Sequence, residues 1–142
     1  TKVTKFETVI ADERFAAKSG FSVGDELWSI ERVRYLDGKA LILDVNYFLK
    51  EFVPGLTPEI AANSIYEYIE NTLGMQIITS KRRITVEHAT ARDEKLLDMG
   101  TYGCVAVVVN QTFNAAGLPF EYTQSRHQPD YFCFQDIATR KK

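Results

Sequence analysis

Hydrophobic and polar residues alternate with period two through much of the first fifty positions, which is the pattern of β-strands. Residues 4–10 predict a short strand. Residues 12–20 predict a short helix with Asp12 as its N-cap and Gly20 at its end. A hairpin follows, in which one strand runs up to residues 36–38 and the chain returns over residues 40–48.

The second half of the chain continues the mixture of helices and strands. Ile65, Ile69 and Leu73 recur at helical spacing up to Gly74, and Ser64 at the start of this run is a natural N-cap. Further strands are predicted over residues 84–89, 104–113, 120–127 and 131–137, and a short helix over residues 92–99. Because hairpins dominate this order, we predict an α+β fold with a mostly antiparallel sheet flanked by helices.

The first hairpin carries the strongest functional signal. Arg32 and Arg34 are separated by one residue, so both guanidinium groups lie on the same face of a strand, where they can hold one anion. If the loop is residues 36–38, Arg32 pairs with Ile42 and Asp44 shares the arginine face. We favour this register, because it gives an anion clamp with an adjacent acceptor, suited to a ligand with phosphate and hydroxyls.

Two alternatives to this clamp stay open. A two-residue turn at Asp37 and Gly38 would shift the pairing by one and place Asp44 on the other face. The hairpin could also be an ordinary exposed strand whose arginines pair with Glu31 or Asp44.

Two other segments are candidates for the same site. The helix start at Ser64 offers backbone amides, a hydroxyl and the phenol of Tyr66, although plain capping explains Ser64 as well. The strand over residues 120–127 places a set of polar side chains on one face: Glu121, Thr123, Ser125 and His127. A carboxylate and an imidazole together can recognise hydroxyls and an anion, while a solvated strand face is the simpler reading.

Composition adds mainly exclusions. The chain has 142 residues, enough for one domain, and a net charge of −2 with basic clusters only at residues 81–83 and 140–142, so it is a poor nucleic-acid binder. It has no long apolar run or signal peptide. The apolar surroundings of Cys104 and Cys133 indicate buried thiols in a reducing, cytoplasmic setting. Because the chain opens at Thr1, we expect a processed chain or a fragment.

Catalytic patterns are scarce. The two histidines, His88 and His127, lack metal-ligand spacing, and the sequence has no nucleophile elbow and no glycine loop for phosphate. We therefore expect no metal, no cofactor and no enzymatic activity.

Together these segments identify a family. The chain resembles the effector-binding domain, called UTRA, of GntR-type transcriptional regulators of the HutC subfamily. The resemblance covers the whole chain and rests on Arg32-Val33-Arg34, Asp44, residues 64–67, 119–122 and 130–134. Residues 125–130 are similar to those of the trehalose operon repressors of Gram-positive bacteria, with Gln128 where an arginine is usual.

The resemblance implies that residues 1–142 form a single domain with a chorismate-lyase-like fold, which has a ligand cleft and a homodimer interface. It also implies a sugar phosphate effector, most specifically trehalose 6-phosphate. Its binding would control a winged helix-turn-helix domain absent here, for which residues 1–5 would be a linker remnant. Effector-binding residues carried over from the family are Arg32, Arg34, Asp44, Ser64, Tyr66, Glu121 and His127, with Arg82, Arg83 and Ser125 as weaker candidates. Alternatives are a sensor of another phosphosugar or small acid, a chorismate-lyase-like enzyme, or a purely dimerising module.

Overall fold

A six-stranded antiparallel sheet forms the centre of the molecule, with strand order β1-β2-β3-β6-β5-β4 in a computed structural model that describes residues 1–140. The strands are β1 (Lys2–Ile10), β2 (Glu26–Leu36), β3 (Lys39–Leu49), β4 (Ile77–His88), β5 (Cys104–Asn114) and β6 (Pro119–His127). The helices are α1 (Glu13–Ser19), α2 (Pro58–Ala61), α3 (Ile65–Glu67) and α4 (Ala91–Leu96). The predicted α+β fold is confirmed.

Helices cover both faces of the sheet. On one face, α1 packs Phe15 against Tyr47 and Tyr122, and α4 covers a buried cluster that includes Val33 and Val107. On the other face, Ala61 of α2, Ile65 of α3 and the following Ile69 pack in one cluster with Ile30 and Phe48 of the sheet. Polar side chains of β2, β3 and β6 on this second face line the cleft described below, together with the start of α3.

The β2–β3 hairpin has a different turn from the one predicted. Leu36 lies opposite Lys39, and Asp37 and Gly38 both have positive φ angles, 51° and 78°, so the turn has two residues and the predicted three-residue loop is wrong. A bulge follows directly, because Tyr35 pairs with Ala40 while Arg34 pairs with Ile42.

Beyond the bulge, the pairing of β2 with β3 is shifted by one residue relative to a regular two-residue hairpin. Arg32 therefore lies opposite Asp44 instead of Ile42, and both side chains project from the same face of the sheet. The prediction that Asp44 shares the arginine face is correct, although the turn from which it was reasoned is not. An extra residue at position 41 compensates for the shorter turn.

Several predicted boundaries also change. The helix expected up to Gly74 is α-helical only over α3, which ends at Glu67, and a π-turn follows over Tyr68–Thr72. The Ser64 hydroxyl caps α3 by accepting a hydrogen bond from Glu67 N. The short helix α2 was not anticipated, and β4 begins at Ile77, seven positions before the predicted 84. After Ile77 and Ile78, residues 79–83 are polar on both faces of this strand, so the pattern gave no signal of an edge strand.

The strand predicted over residues 131–137 does not form. A 3₁₀ turn, Pro129–Tyr131, is followed by residues without regular structure, in which Phe134 is 66% and Ile137 is 93% exposed. Alternating aromatic residues need a neighbouring strand, and this segment pairs with none among residues 1–140. The prediction of buried thiols fails here too, since Cys133 is exposed and Cys104 is half-buried; both are free.

At the start of the chain, residues 2–5 lie in β1 and pair with β2, with a bulge between Val3 and Lys5. Their role as a linker remnant stays a prediction. At the other end, the basic cluster of residues 140–142 lies outside the described residues except for Arg140.

Candidate functional site

A cleft of about 400 Å³ opens between the polar face of the sheet and the α2–α3 segment. Alternation along paired strands sets its floor: Arg32, Asp44, Ser125 and Val108 form one row across β2, β3, β6 and β5. The next row toward α3 contains Asn46, Thr123, Asn110 and Arg82. Ser64 and Tyr66 line the wall formed by α3, and Thr1 lies at the rim.

Asp44 holds the two arginines together on the floor of the cleft. Its carboxylate, 3% exposed, receives Arg32 Nη2 at 3.3 Å, and Arg34 Nε lies 2.9 Å from the same oxygen, Oδ2. The other oxygen, Oδ1, accepts bonds from Arg34 Nη2 at 3.3 Å and from Ser125 Oγ at 2.7 Å. Oδ1 therefore accepts two hydrogen bonds and Oδ2 accepts one, from Arg32, while Arg34 Nε makes an ion-pair contact without a hydrogen bond. Most of the acceptor capacity of Asp44 is thus used inside the protein.

The two arginines differ in their freedom. Arg32 is largely buried and is also fixed through Nε to Asn46 Oδ1 and through Nη1 to the carbonyl of Ala61, so it is an oriented part of the floor. Burial lowers its pKa, and Asp44 counteracts this; a guanidinium remains charged in either case. The Arg34 side chain is 41% exposed, and Asp44 is its one hydrogen-bond and ion-pair partner among the described residues, so most of its donors are free for a ligand.

A second buried carboxylate, Glu121, lies deeper in the cleft. It accepts three hydroxyl bonds: from Tyr66 at 2.5 Å, from Thr112 at 2.7 Å and from Thr123 at 2.6 Å. Burial first, and the charge of Glu121 second, raise the pKa of Tyr66, so its phenol stays a donor. The hydroxyl of Tyr66 is thus committed to Glu121 in this state.

Asn46 connects the two carboxylate centres. Its Oδ1 accepts from Arg32, and its Nδ2 donates to Thr123 Oγ1 at 2.9 Å, which in turn donates to Glu121. The floor is therefore one continuous hydrogen-bonded chain from the arginines to Tyr66. The chain orients the side chains that it links, while Arg34 Nε and Asn110 Oδ1 beside it have no hydrogen-bond partner among residues 1–140.

The predicted residues divide into those that meet at the cleft and those that do not. The lining includes Arg32, Arg34, Asp44, Ser64, Tyr66, Arg82, Glu121 and Ser125. Within residues 1–140, Arg83 and His127 are not part of it. Arg83 alternates to the opposite face from Arg82.

His127 lies on the same face as Arg34 but just outside the cleft. Its ring contacts Phe132, and its Nδ1 lies 3.2 Å from the carbonyl oxygens of Ala106 and Ser125. Burial, with a smaller contribution from the charge of Arg34, lowers its pKa. A neutral imidazole tied to the backbone in this way is a poor partner for an anion.

Sequence reasoning missed Asn46 and Asn110 and did not select Thr123. Asn46 is two residues beyond Asp44 on the same strand, so the alternation that placed Asp44 on this face also places Asn46 there. Asn110 donates to the hydroxyl oxygens of Tyr66 and Thr112 at 3.2 and 3.3 Å. It follows an apolar run on β5 and carried no signal of its own.

No cluster of three or more potential metal-binding side chains occurs among residues 1–140, and no helix there is long and apolar enough to cross a membrane.

Known proteins similar to this chain include transcriptional regulators and their effector-binding domains. The family model of the UTRA domain matches residues 1–133. The HTH-type transcriptional regulator TreR of Bacillus subtilis (strain 168) is 41% identical over 142 residues, which are 100% of this chain and 60% of that protein. The chain thus spans about 60% of the length of this curated relative. It covers between 52% and 60% of three other curated relatives.

Solved structures agree with this match. The effector-binding domain of the B. subtilis trehalose repressor TreR superposes with a TM-score of 0.90 at 40% identity, covering 99% of this chain and 98% of that one. A GntR-family transcriptional regulator from Bacillus cereus gives a TM-score of 0.86 at 29% identity, covering 97% of this chain and 96% of that one. The predicted chorismate-lyase-like fold of UTRA domains is confirmed. The chain belongs to the UTRA family, the effector-binding domain of GntR-type transcriptional regulators.

Proposed function

We propose that this domain binds a sugar phosphate, most specifically trehalose 6-phosphate, and that binding controls DNA attachment by a separate winged helix-turn-helix domain. The observation that carries this proposal is the pairing of Arg32 and Arg34 on Asp44 at the floor of a cleft whose remaining wall bears hydroxyl and amide groups. The similarity to a trehalose repressor over the full length of the chain supports the choice of sugar.

The phosphate binds at the arginine end of the cleft. Arg34 offers free donors there, Arg32 presents its remaining N–H groups from a fixed position, and Arg82 lines the cleft from β4. Asp44 cancels one of the two charges of the clamp, so the pair retains a net charge of +1 and is not left as two repelling cations. Charged donors bind a phosphate monoester more strongly than neutral ones.

The sugar binds toward Glu121. Asn46, Asn110 and Thr123 provide the donors and acceptors that sugar hydroxyls need. Tyr66 and Thr112 both donate to Oε1 of Glu121, so a sugar hydroxyl that bonds to this oxygen replaces the phenol and frees Tyr66 to donate to the phosphate. Binding is then an exchange of partners, which moves Tyr66 and the short helix α3 relative to the sheet.

The route from the cleft to a preceding domain is short. Arg32 lies opposite Val3 on β1, and Thr1 itself lines the cleft. A ligand that repositions Arg32 therefore acts on the strand that leads to the start of the described chain. Coupling between effector and DNA typically requires about 1–3 kcal/mol, and one charge-assisted hydrogen bond contributes about 1.5–3 kcal/mol.

The proposal includes a homodimer. The edge strand β4 exposes Ile78, Ile84 and Val86, the last at 74%, and apolar side chains on an unpaired edge favour association with a second copy. Sedimentation velocity on the domain measures the mass directly; a monomer at all concentrations would contradict this part.

Calorimetric titration tests the ligand. We expect the domain to bind trehalose 6-phosphate, to bind inorganic phosphate weakly, and to bind unphosphorylated trehalose more weakly than its phosphate. Equal affinity for trehalose with and without phosphate would remove the clamp from the mechanism. Turnover of chorismate in a spectrophotometric assay would instead support the lyase.

A further inference from the structure

A second hollow adjoins the cleft along α2, α3 and the π-turn. It has a volume of about 400 Å³ and is lined by Ile60, Asn63, Ser64, Glu67, Tyr68, Asn71 and Thr72. Asn63 and Ser64 line the cleft as well, so the two hollows meet at the residues that start α3. A ligand held by the arginines can therefore extend past Ser64 into this hollow, which we call the π-turn groove.

The chemistry of the π-turn groove differs from that of the cleft. The cleft contains Arg32, Arg34 and Arg82, whereas the groove has no basic side chain in its lining and one acid, Glu67. Its other polar groups are the amides and hydroxyls of Asn63, Ser64, Asn71 and Thr72. An anionic group is held at the cleft, and an uncharged polyhydroxylated group fits the groove.

Tyr68 gives the groove a fixed aromatic wall. Its hydroxyl donates to the carbonyl of Pro54 at 2.6 Å, and the adjacent Gly55 leaves room for it, since a Cβ at Gly55 would lie 2.8 Å from the Tyr68 oxygen. Gly55 also has a positive φ of 76°. The polar tip is thus anchored, and Tyr68 contributes an aromatic side chain to the lining of the groove, a group suited to contact the C–H face of a sugar ring.

The π-turn itself supports a functional role for this segment. Single π-turns interrupting a helix are rare and are frequent at functional sites. Here the wider turn, Tyr68–Thr72, carries Tyr68, Asn71 and Thr72, which are three of the groove residues.

We propose that the π-turn groove is a second saccharide subsite, which holds the sugar unit farther from the phosphate and makes the domain selective for a disaccharide phosphate over a monosaccharide phosphate. This inference rests on the proposed function, because the arginine clamp sets the position of the phosphate and so directs the rest of the ligand toward Ser64.

The test compares two ligands and three variants. Calorimetry with trehalose 6-phosphate and with glucose 6-phosphate is carried out on the unmodified domain, on Asn71→Ala, on Thr72→Val and on Glu70→Ala. Glu70 is exposed on the same π-turn but does not line the groove, so its variant controls for general effects on this segment. Thermal unfolding of each variant checks that the fold is retained.

We expect Asn71→Ala and Thr72→Val to weaken trehalose 6-phosphate binding by about 2- to 13-fold each, the range for one neutral hydrogen bond, and to leave glucose 6-phosphate binding unchanged. Glu70→Ala should change neither. Equal losses for both ligands, or no loss for the disaccharide, would overturn the subsite. If the unmodified domain binds both ligands equally well, the subsite fails while sugar phosphate sensing stands. If it binds neither, the proposed function fails and the subsite with it.

Discussion

Replacing Arg34 with alanine separates the binding role of the clamp from its structural role. Arg34 is half exposed, whereas Arg32 is buried and bonded to Asn46 and Ala61. In an Arg34→Ala protein, Asp44 keeps Arg32 and the hydroxyl of Ser125, so no buried charge loses all its partners. We therefore expect a loss of stability within about 1 kcal/mol, the range for partly exposed ion pairs.

The same substitution removes the most accessible cation from the phosphate site. One charge-assisted hydrogen bond contributes about 1.5–3 kcal/mol, and each 1.4 kcal/mol changes affinity tenfold. The Kd for trehalose 6-phosphate should thus rise roughly 10- to 150-fold. Arg34→Lys should fall between, because an ammonium keeps the charge and loses the planar pair of donors.

Isothermal titration calorimetry measures the Kd, and urea unfolding measures the stability of the same samples. Arg14→Ala is the matched control, since Arg14 is an exposed arginine on α1, away from the cleft. An Arg34→Ala protein that binds with full affinity would refute the assignment of the clamp. A loss of several kcal/mol in stability would refute the division of roles between the two arginines.

Three other substitutions test the surrounding structure. Asp93→Ala removes the carboxylate that the buried Arg126 contacts at 2.8 Å and leaves it only the partly exposed Glu87 at 3.3 Å, so it should lower the free energy of unfolding by about 3 kcal/mol in urea titrations; a change below 1 kcal/mol would contradict this reasoning. Because burial lowers the pKa of His127 below its ordinary 6.5, the unfolded chain takes up the proton first on acidification, and stability is lost as the pH falls from about 6.5 through the folded-state pKa. His127→Asn should remove that part of the decline, at most about 1.4 kcal/mol per pH unit, in unfolding measured at pH 7.5 and 5.5, and an unchanged decline would assign it to other groups. Tyr66→Phe removes the bond to Glu121 and the donor that becomes available to phosphate, so trehalose 6-phosphate should bind about tenfold more weakly by calorimetry. Unchanged affinity would place Tyr66 outside the binding event.

Much of the lining of the candidate cleft was predictable because alternation acts over short distances. Once one residue of a strand is known to face the cleft, every second residue follows, which groups Arg32 with Arg34 and Glu121 with Ser125. His127 obeys the same alternation and still misses the cleft. Its ring packs against Phe132, a residue of the segment whose strand did not form.

The sequence by itself determined the α+β fold, the capped helix starts and the faces of the strands, because caps, turns and side-chain period depend on residues a few positions apart. The tertiary structure alone decided the register at Leu41, the commitment of Asp44 to two arginines and the bond between Tyr66 and Glu121. These features join residues as far as 55 positions apart in the chain. Which polar groups become partners there depends on the packing of separate strands and helices, and local sequence patterns do not encode that.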